Sequence, residues 1–280
     1  MVSIVTDSSC DLPDEILEKY GIHVVPLKIT IDGDNYIEKQ DITAEDFIKK
    51  MIASKNLPKT AQPSPGEFSE IYNKLTTGEN GRNEVICITI SSGLSGTYQS
   101  AYMGKDLAEA GDKVTVFDSL AASLGHGLYV LKAAQLAQEG YNRDKIIEEL
   151  TSYREQMEIF ILLDTLENIV KGGRLSKFKG SMAGMLNIKV LLEGIDGKVH
   201  ELEKVRGKKK FLKRFLDIVG ERRQDFSDTV FGITHVNNSK DAEFIKEELI
   251  KRYNPKDVII NTMGATISTY AGDGGMVICF

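Results

Sequence analysis

The first half of the chain repeats one unit: a short apolar, β-branched run, a polar turn, then a segment with helical signals. Parallel strands cannot be joined by a tight turn, so this alternation demands crossover helices and a sheet covered on both faces. SIVT (3–6), EVICITI (84–90) and KVTVFDS (113–119) are the strands. EVICITI is apolar at both odd and even positions, as a strand buried on both faces must be. Helix starts are marked by local chemistry. Ser64-Pro65-Gly66-Glu67 combines a cap, a proline at the first helical position and a glutamate at the third. Thr43 with Asp46 resembles a capping box, and Asp11 is read as the cap of a helix reaching Tyr20. HVVPLKITI is read as one strand to Ile31, turned back at Asp32-Gly33. LAASLGHGLYVLKAAQLAQEG (120–140) is apolar on more than one face and belongs between layers.

The second half reads differently. Asn142 opens a polar helix, and EIFILLD (158–164) is a strand. Two β runs flank Asp196-Gly197, a strong hairpin signal. KKKFLKRFLDIVGERR is an amphipathic basic helix, whose charges are either a solvated face or a docking surface for an acidic partner. GATISTYAGDGGMVICF (264–280) is read as a Gly-rich loop entering a last strand. Hairpins mixed with helices indicate α+β organisation. The expected fold is an N-terminal, doubly wound, mostly parallel α/β domain over residues 1–153. A C-terminal α+β domain over 154–280 follows, with a ligand between them.

With 280 residues, 27% charged and 41% apolar, the chain has an ordinary globular composition. Its net charge of −6 argues against nucleic acid as a partner. No apolar stretch is long enough to span a bilayer, and MVSIVTDSS runs straight into a strand, so a cytoplasmic protein is expected. Cys10, Cys87 and Cys279 are odd in number and far apart, which fits reduced thiols rather than disulfides or a metal site.

ISSGLSGTYQSA (90–101) is the corner at which such a sheet would place a ligand. Gly93-Leu94-Ser95-Gly96-Thr97 lacks the G-x-S-x-G spacing of a nucleophile elbow. None of His23, His126, His200 or His235 has a recognisable local triad context. A serine esterase or acyl transferase using Ser95 or Ser92 stands as the alternative reading. There is no lysine for a P-loop, and TDSSCD carries no dinucleotide fingerprint. Hydroxyls from Ser91, Ser92, Ser95 and Thr97 ahead of a helix remain. They suit an anion such as a carboxylate, or they merely cap the helix. KTAQPSPGEF puts Thr60 on a second polar corner, from which it could meet Ser92 across a shared crevice. Asp7 and Asp118 are read as acceptors for backbone N–H groups.

VTDSSCDLP, KTAQPSPGEF, ISSGLSGTYQSA, FDS, LDTLENIVKGGRLS and LNIKVLL together resemble the DegV family of bacterial lipid-binding proteins. The resemblance implies a long-chain fatty acid, such as palmitate, buried between two domains. It implies no catalytic residue, no cofactor beyond that ligand and no metal. The family's carboxylate-binding threonine falls on Thr60 and its serine on Ser92. Some members deliver the fatty acid to a separate fatty acid kinase, a partner the resemblance extends to this chain. Such a carrier is not an integral membrane protein, though transient contact with a membrane surface is compatible with it.

Ser95, Arg174 and Tyr270 are further candidates for the site. Tyr270 stands where the family commonly has a histidine, and Asp273 where it has a proline. A tyrosine can donate a hydrogen bond but carries no positive charge at neutral pH. Asp273 would add a negative charge beside the headgroup. Small residues in LAASLGHGLYV and GSMAGML could leave room for an acyl chain.

Overall fold

The computed structural model describes residues 2–77, 84–175 and 188–280. The chain begins with β1 (Val2–Asp7), helix α1 (Asp14–Lys19) and β2 (His23–Val25). A small antiparallel sheet follows, formed by β3 (Lys28–Ile31), β4 (Asp34–Ile37) and, after α2 (Ala44–Ala53), β5 (Lys59–Ala61). Helix α3 (Pro65–Thr76) leads back to β6 (Glu84–Thr89), then α4 (Thr97–Leu107) and β7 (Val114–Asp118). The main sheet has the order β2-β1-β6-β7, every neighbour parallel. Strand order reverses between β1 and β6, so their carboxyl ends flank the crevice where such sheets bind ligands.

Helices α5 (Leu124–Gln138) and α6 (Arg143–Gln156) separate this sheet from a six-stranded one. Its strands are β8 (Ile159–Leu163), β9 (Ile188–Ile195), β10 (Lys198–Arg206), β11 (Val230–His235), β12 (Asp257–Thr262) and β13 (Met276–Cys279). Their order is β10-β9-β8-β13-β11-β12, antiparallel except for β11 with β12. Four helices accompany it: α7 (Glu167–Lys171), α8 (Lys208–Arg222), α9 (Ser239–Tyr253) and α10 (Ala265–Ala271). The mixed α/β class expected from the sequence is the one observed.

Period-two alternation in EVICITI separates two cores. Val85 and Cys87 face α3 and α4 with Phe68 and Tyr72. Ile86 and Ile88 face α5, in a core that continues through Leu124 and Leu128 to Ile159, Ile161 and Val277 of the second sheet. A third core under α8 and α9 gathers Phe160, Phe215, Phe231 and Phe280. α5 packs on β1 from one side and on β11 and β13 from the other, which accounts for its apolar girth.

The local signals hold where the bonds are local. Ser64 and Glu67 form the full capping box, Thr43 accepts from the Asp46 N–H, and Asn142 caps α6. Asp32-Gly33 and Asp196-Gly197 both take left-handed backbone at their hairpin turns. The basic segment forms α8, which buries Phe211, Leu212, Phe215 and Leu216; Lys208 pairs with Asp241, and Arg214 with Glu203 and Glu221. All three cysteines are buried free thiols.

Three expectations are corrected. HVVPLKITI is not one strand: β2 pairs in the main sheet and β3 in the small one. Pro26, with no N–H to give a ladder, sits at the break. Asp11 does not cap α1, whose N-cap is Pro13; Asp11 is left-handed, and its carboxylate turns to residues 123 and 264 instead. The segment after Gly264 is helix α10 before it becomes a loop.

Close approach of α5 to the chain after β1 depends on Gly127. A Cβ there would run into the Cys10 carbonyl oxygen and press on Leu12. Alanine ordinarily gains about 1 kcal/mol over glycine inside a helix. Gly127→Ala is expected to lose stability instead, by about 1–3 kcal/mol, because the overpacked contact is backbone. Urea denaturation of the variant beside the wild type checks the sign.

Candidate functional site

Thr60 lies on β5, opposite Ile29 of β3. It therefore belongs to the small antiparallel sheet and not, as the sequence suggested, to a corner of the main sheet. From there its Oγ1 reaches the Tyr270 hydroxyl at 2.7 Å. Tyr270 is in the last turn of α10, and the Arg174 guanidinium lies 4.7 Å from the centre of its ring. Arg174 donates from Nε to the Leu94 carbonyl (3.2 Å) and from Nη1 to the Gly172 carbonyl (2.7 Å). One arginine thus braces the serine-rich loop against the end of α7 and α10, and contacts the ring of the candidate ligand residue.

The hydroxyls of the loop divide their work. Ser91 Oγ donates to the Gly197 carbonyl at 2.7 Å and accepts from the Gly93 N–H, joining the loop to the β9–β10 turn. Ser95 Oγ bonds Thr97 Oγ1 (2.9 Å) and accepts the Thr97 N–H, while Gly96 at the N-cap of α4 gives no side-chain cap. Ser92 is exposed; its N–H donates to Asp118, which also holds the Leu120 N–H. Asp7 likewise accepts from the Ser9 and Ile90 N–H groups. Both aspartates are structural acceptors, as their sequence context indicated.

These loops and α10 surround a cavity that opens to solvent; the empty space within it and at its mouth together is about 820 Å³. Thr60, Ser95, Arg174 and Tyr270 line it, whereas Ser92 is not on its wall. Ile90, Leu120, Ile159, Ile161, Ile169 and Val277 are among its apolar lining. Ala121 and Ala122, from the small-residue stretch, also line it. GSMAGML lies outside the described residues. Among the described residues lining the cavity, Arg174 and Lys198 carry charge, and there is no carboxylate and no histidine. His126 is buried elsewhere, its Nε2 within 3.0 Å of Thr6 Oγ1 and of the Ile88 carbonyl. Asp273, expected beside the headgroup, is exposed and accepts from Asn237. The turn after α10 carries it away from the wall that Tyr270 forms.

Sequence reasoning missed what holds α10 in place. Glu38 is fully buried and accepts from Thr266 twice, through its N–H and its hydroxyl, both at 2.7 Å. Ser8 Oγ donates to the same carboxylate at 2.5 Å and accepts the Leu27 N–H. Leu27 and Thr266 both line the cavity, so one carboxylate links two of its walls. Asp11, also buried, accepts from the Gly264 N–H (3.0 Å) and the Ser123 hydroxyl (2.6 Å). Burial raises the carboxyl of Glu38 above its ordinary range, and burial with the nearby Glu38 charge raises that of Asp11 to about 8.

The whole chain, residues 1–280, matches the family model described as an uncharacterised protein of the DegV family. This chain belongs to the DegV family. A DegV domain-containing protein of Listeria innocua is 34% identical over 98% of this chain and 96% of its own. A DegV protein of Ruminococcus gnavus, solved with vaccenic acid, superposes with a TM-score of 0.91 at 29% identity, covering 100% of this chain and 99% of the other. A DegV protein of Thermus thermophilus, described by its fatty acid binding, gives 0.91 at 28% identity over 99% and 98%.

A carboxyl group raised on folding binds a proton that the unfolded chain releases at lower pH. Stability then falls as pH rises from the ordinary aspartate range towards 8. Asp11→Asn removes that loss while keeping an acceptor for the Gly264 N–H. The drop in unfolding free energy between pH 5 and pH 8 is expected to be smaller in the variant than in the wild type. Glu38, present in both, acts in the same direction and largely cancels. Denaturant titrations at the two pH values give the comparison.

Proposed function

We propose that this chain binds a long-chain fatty acid, such as palmitate, in the cavity between its 1–153 and 154–280 units. The observation that carries the reading is a mainly apolar cavity whose charged wall groups, among the described residues, are cations. An apolar chain with one anionic end matches that pattern. The Ruminococcus gnavus and Thermus thermophilus relatives, one solved with vaccenic acid and the other described by its fatty acid binding, support it.

In this reading Thr60 and Ser92 hold the carboxylate. Thr60 bonds Tyr270 in the structure. A carboxylate placed between them accepts from both hydroxyls, since it is acceptor-only. The Ser92 hydroxyl makes no hydrogen bond among the described residues and stands at the exposed rim, one residue from the loop's anchor at Ser91. Ser95, Arg174 and Tyr270 complete the polar end. The acyl chain then runs among Ile159, Ile161 and Val277. Each methylene taken from water contributes about 0.8 kcal/mol, so roughly fifteen bring on the order of 12 kcal/mol of gross driving force. Ordering the chain and losing translational freedom offset much of that.

The protein acts as a carrier for lipid transport or fatty acid metabolism. An exposed Ser92–Gly93 rim also suits presentation of the carboxylate to a fatty acid kinase. A serine esterase is the weaker reading. Ser95 Oγ is engaged with Thr97, and no described wall residue offers it a histidine or carboxylate base. No described helix is long and apolar enough to cross a membrane.

Organic extraction of the purified protein is expected to yield a long-chain fatty acid on mass spectrometry. Protein that is empty, and whose thermal midpoint is unmoved by added palmitate, would overturn the reading. Combined Thr60→Val and Ser92→Ala changes should weaken palmitate binding on the order of tenfold, the usual scale for hydrogen bonds to a charged group. The circular dichroism spectrum should not change.

A further inference from the structure

The serine-rich loop does not stand alone at the rim of the cavity. The β9–β10 turn is pressed onto it. Ser91 Oγ bonds the Gly197 carbonyl, and a Cβ added to Gly93 would meet that same oxygen at 2.6 Å and Lys198 Cγ at 3.1 Å. Lys198 is therefore held by its backbone and stem against the residue that follows Ser92. It lines the cavity, and its ammonium end makes no ion pair among the described residues. The other wall cation, Arg174, is differently placed: Nε and Nη1 are spent on backbone carbonyls, and its face lies over Tyr270. An uncommitted cation stands beside a polar corner with no described carboxylate on the wall.

Resting on the fatty-acid reading above, we infer that Lys198 is the specificity-determining counter-ion of the headgroup. It selects an anionic amphiphile over a neutral one of equal chain length. The sequence offers no sign of this, because Lys198 is simply the first residue after a hairpin turn. Its place beside Gly93 arises from the docking of that turn across 106 residues of chain. A lysine stem can also shield apolar surface while the ammonium stays in water. That function would survive replacement by methionine, whereas a counter-ion function would not.

The test uses the full chain, stripped of lipid, with myristate and tetradecan-1-ol as probes in calorimetric titrations. Wild type, Lys198→Met and Lys198→Arg are compared. Lys198 is exposed, so Lys198→Met is expected to weaken myristate about two- to fivefold and leave tetradecan-1-ol unchanged, the scale of an exposed charge pair. Lys198→Arg should keep the wild-type ratio of the two affinities. The myristate difference should also shrink in high salt, which screens the pair. An unchanged ratio in Lys198→Met, or equal weakening of both probes, overturns the inference while leaving the fatty-acid reading intact. A wild-type protein that binds neither probe removes that reading, and this inference with it.

Discussion

Two buried carboxylates under one short helix govern the shape of the site. The segment that forms α10 contains Thr266, Ile267 and Thr269, residues that disfavour helix through their branched side chains. Gly264 at its N-cap offers no side-chain cap. Asp11 and Glu38 supply that function from distant parts of the chain, each accepting one of the orphan N–H groups at the helix start. Removing an acceptor from such a place is costly, because the donor left behind is buried. The helix then projects Tyr270 from its far end to meet Thr60 and Arg174. Wall residues Leu27, Thr266 and Tyr270 thus share one support.

Much of the fold was legible because its signals are local. Capping at Thr43, Ser64 and Asn142 involves residues three apart, and both Asp-Gly turns needed only the dipeptide. Apolar residues at both parities of EVICITI announced a strand covered on two faces. Pro26 was visible too, yet its effect was misjudged: a missing donor ends a ladder even where the flanking residues favour β structure.

The site was legible only as a set of residues. Thr60, Ser95, Arg174 and Tyr270 do share one cavity, but the bonds between them could not be read. Thr60 meets Tyr270 across 210 positions, and Glu38 meets Thr266 across 228. Nothing near Glu38 in DNYIEK marks it as buried; it resembles an exposed hairpin residue. Ser92 and Asp273 show the converse. Each sits in the expected motif, but the backbone turns Ser92 to the rim and Asp273 towards Asn237.

The Thr60–Tyr270 bond has a consequence for how any ligand is measured out. The Thr60 and Tyr270 hydroxyls already satisfy each other. An arriving headgroup exchanges one hydrogen bond for others, so the net polar gain is small beside that of an unsatisfied site. If the proposed ligand is bound here, discrimination among acids falls to the apolar wall. Within a homologous series, each added carbon should tighten binding by about fourfold, the equivalent of 0.8 kcal/mol, until the chain reaches the end of the cavity. The carbon number at which that ladder stops would be a ruler for the depth of the tunnel.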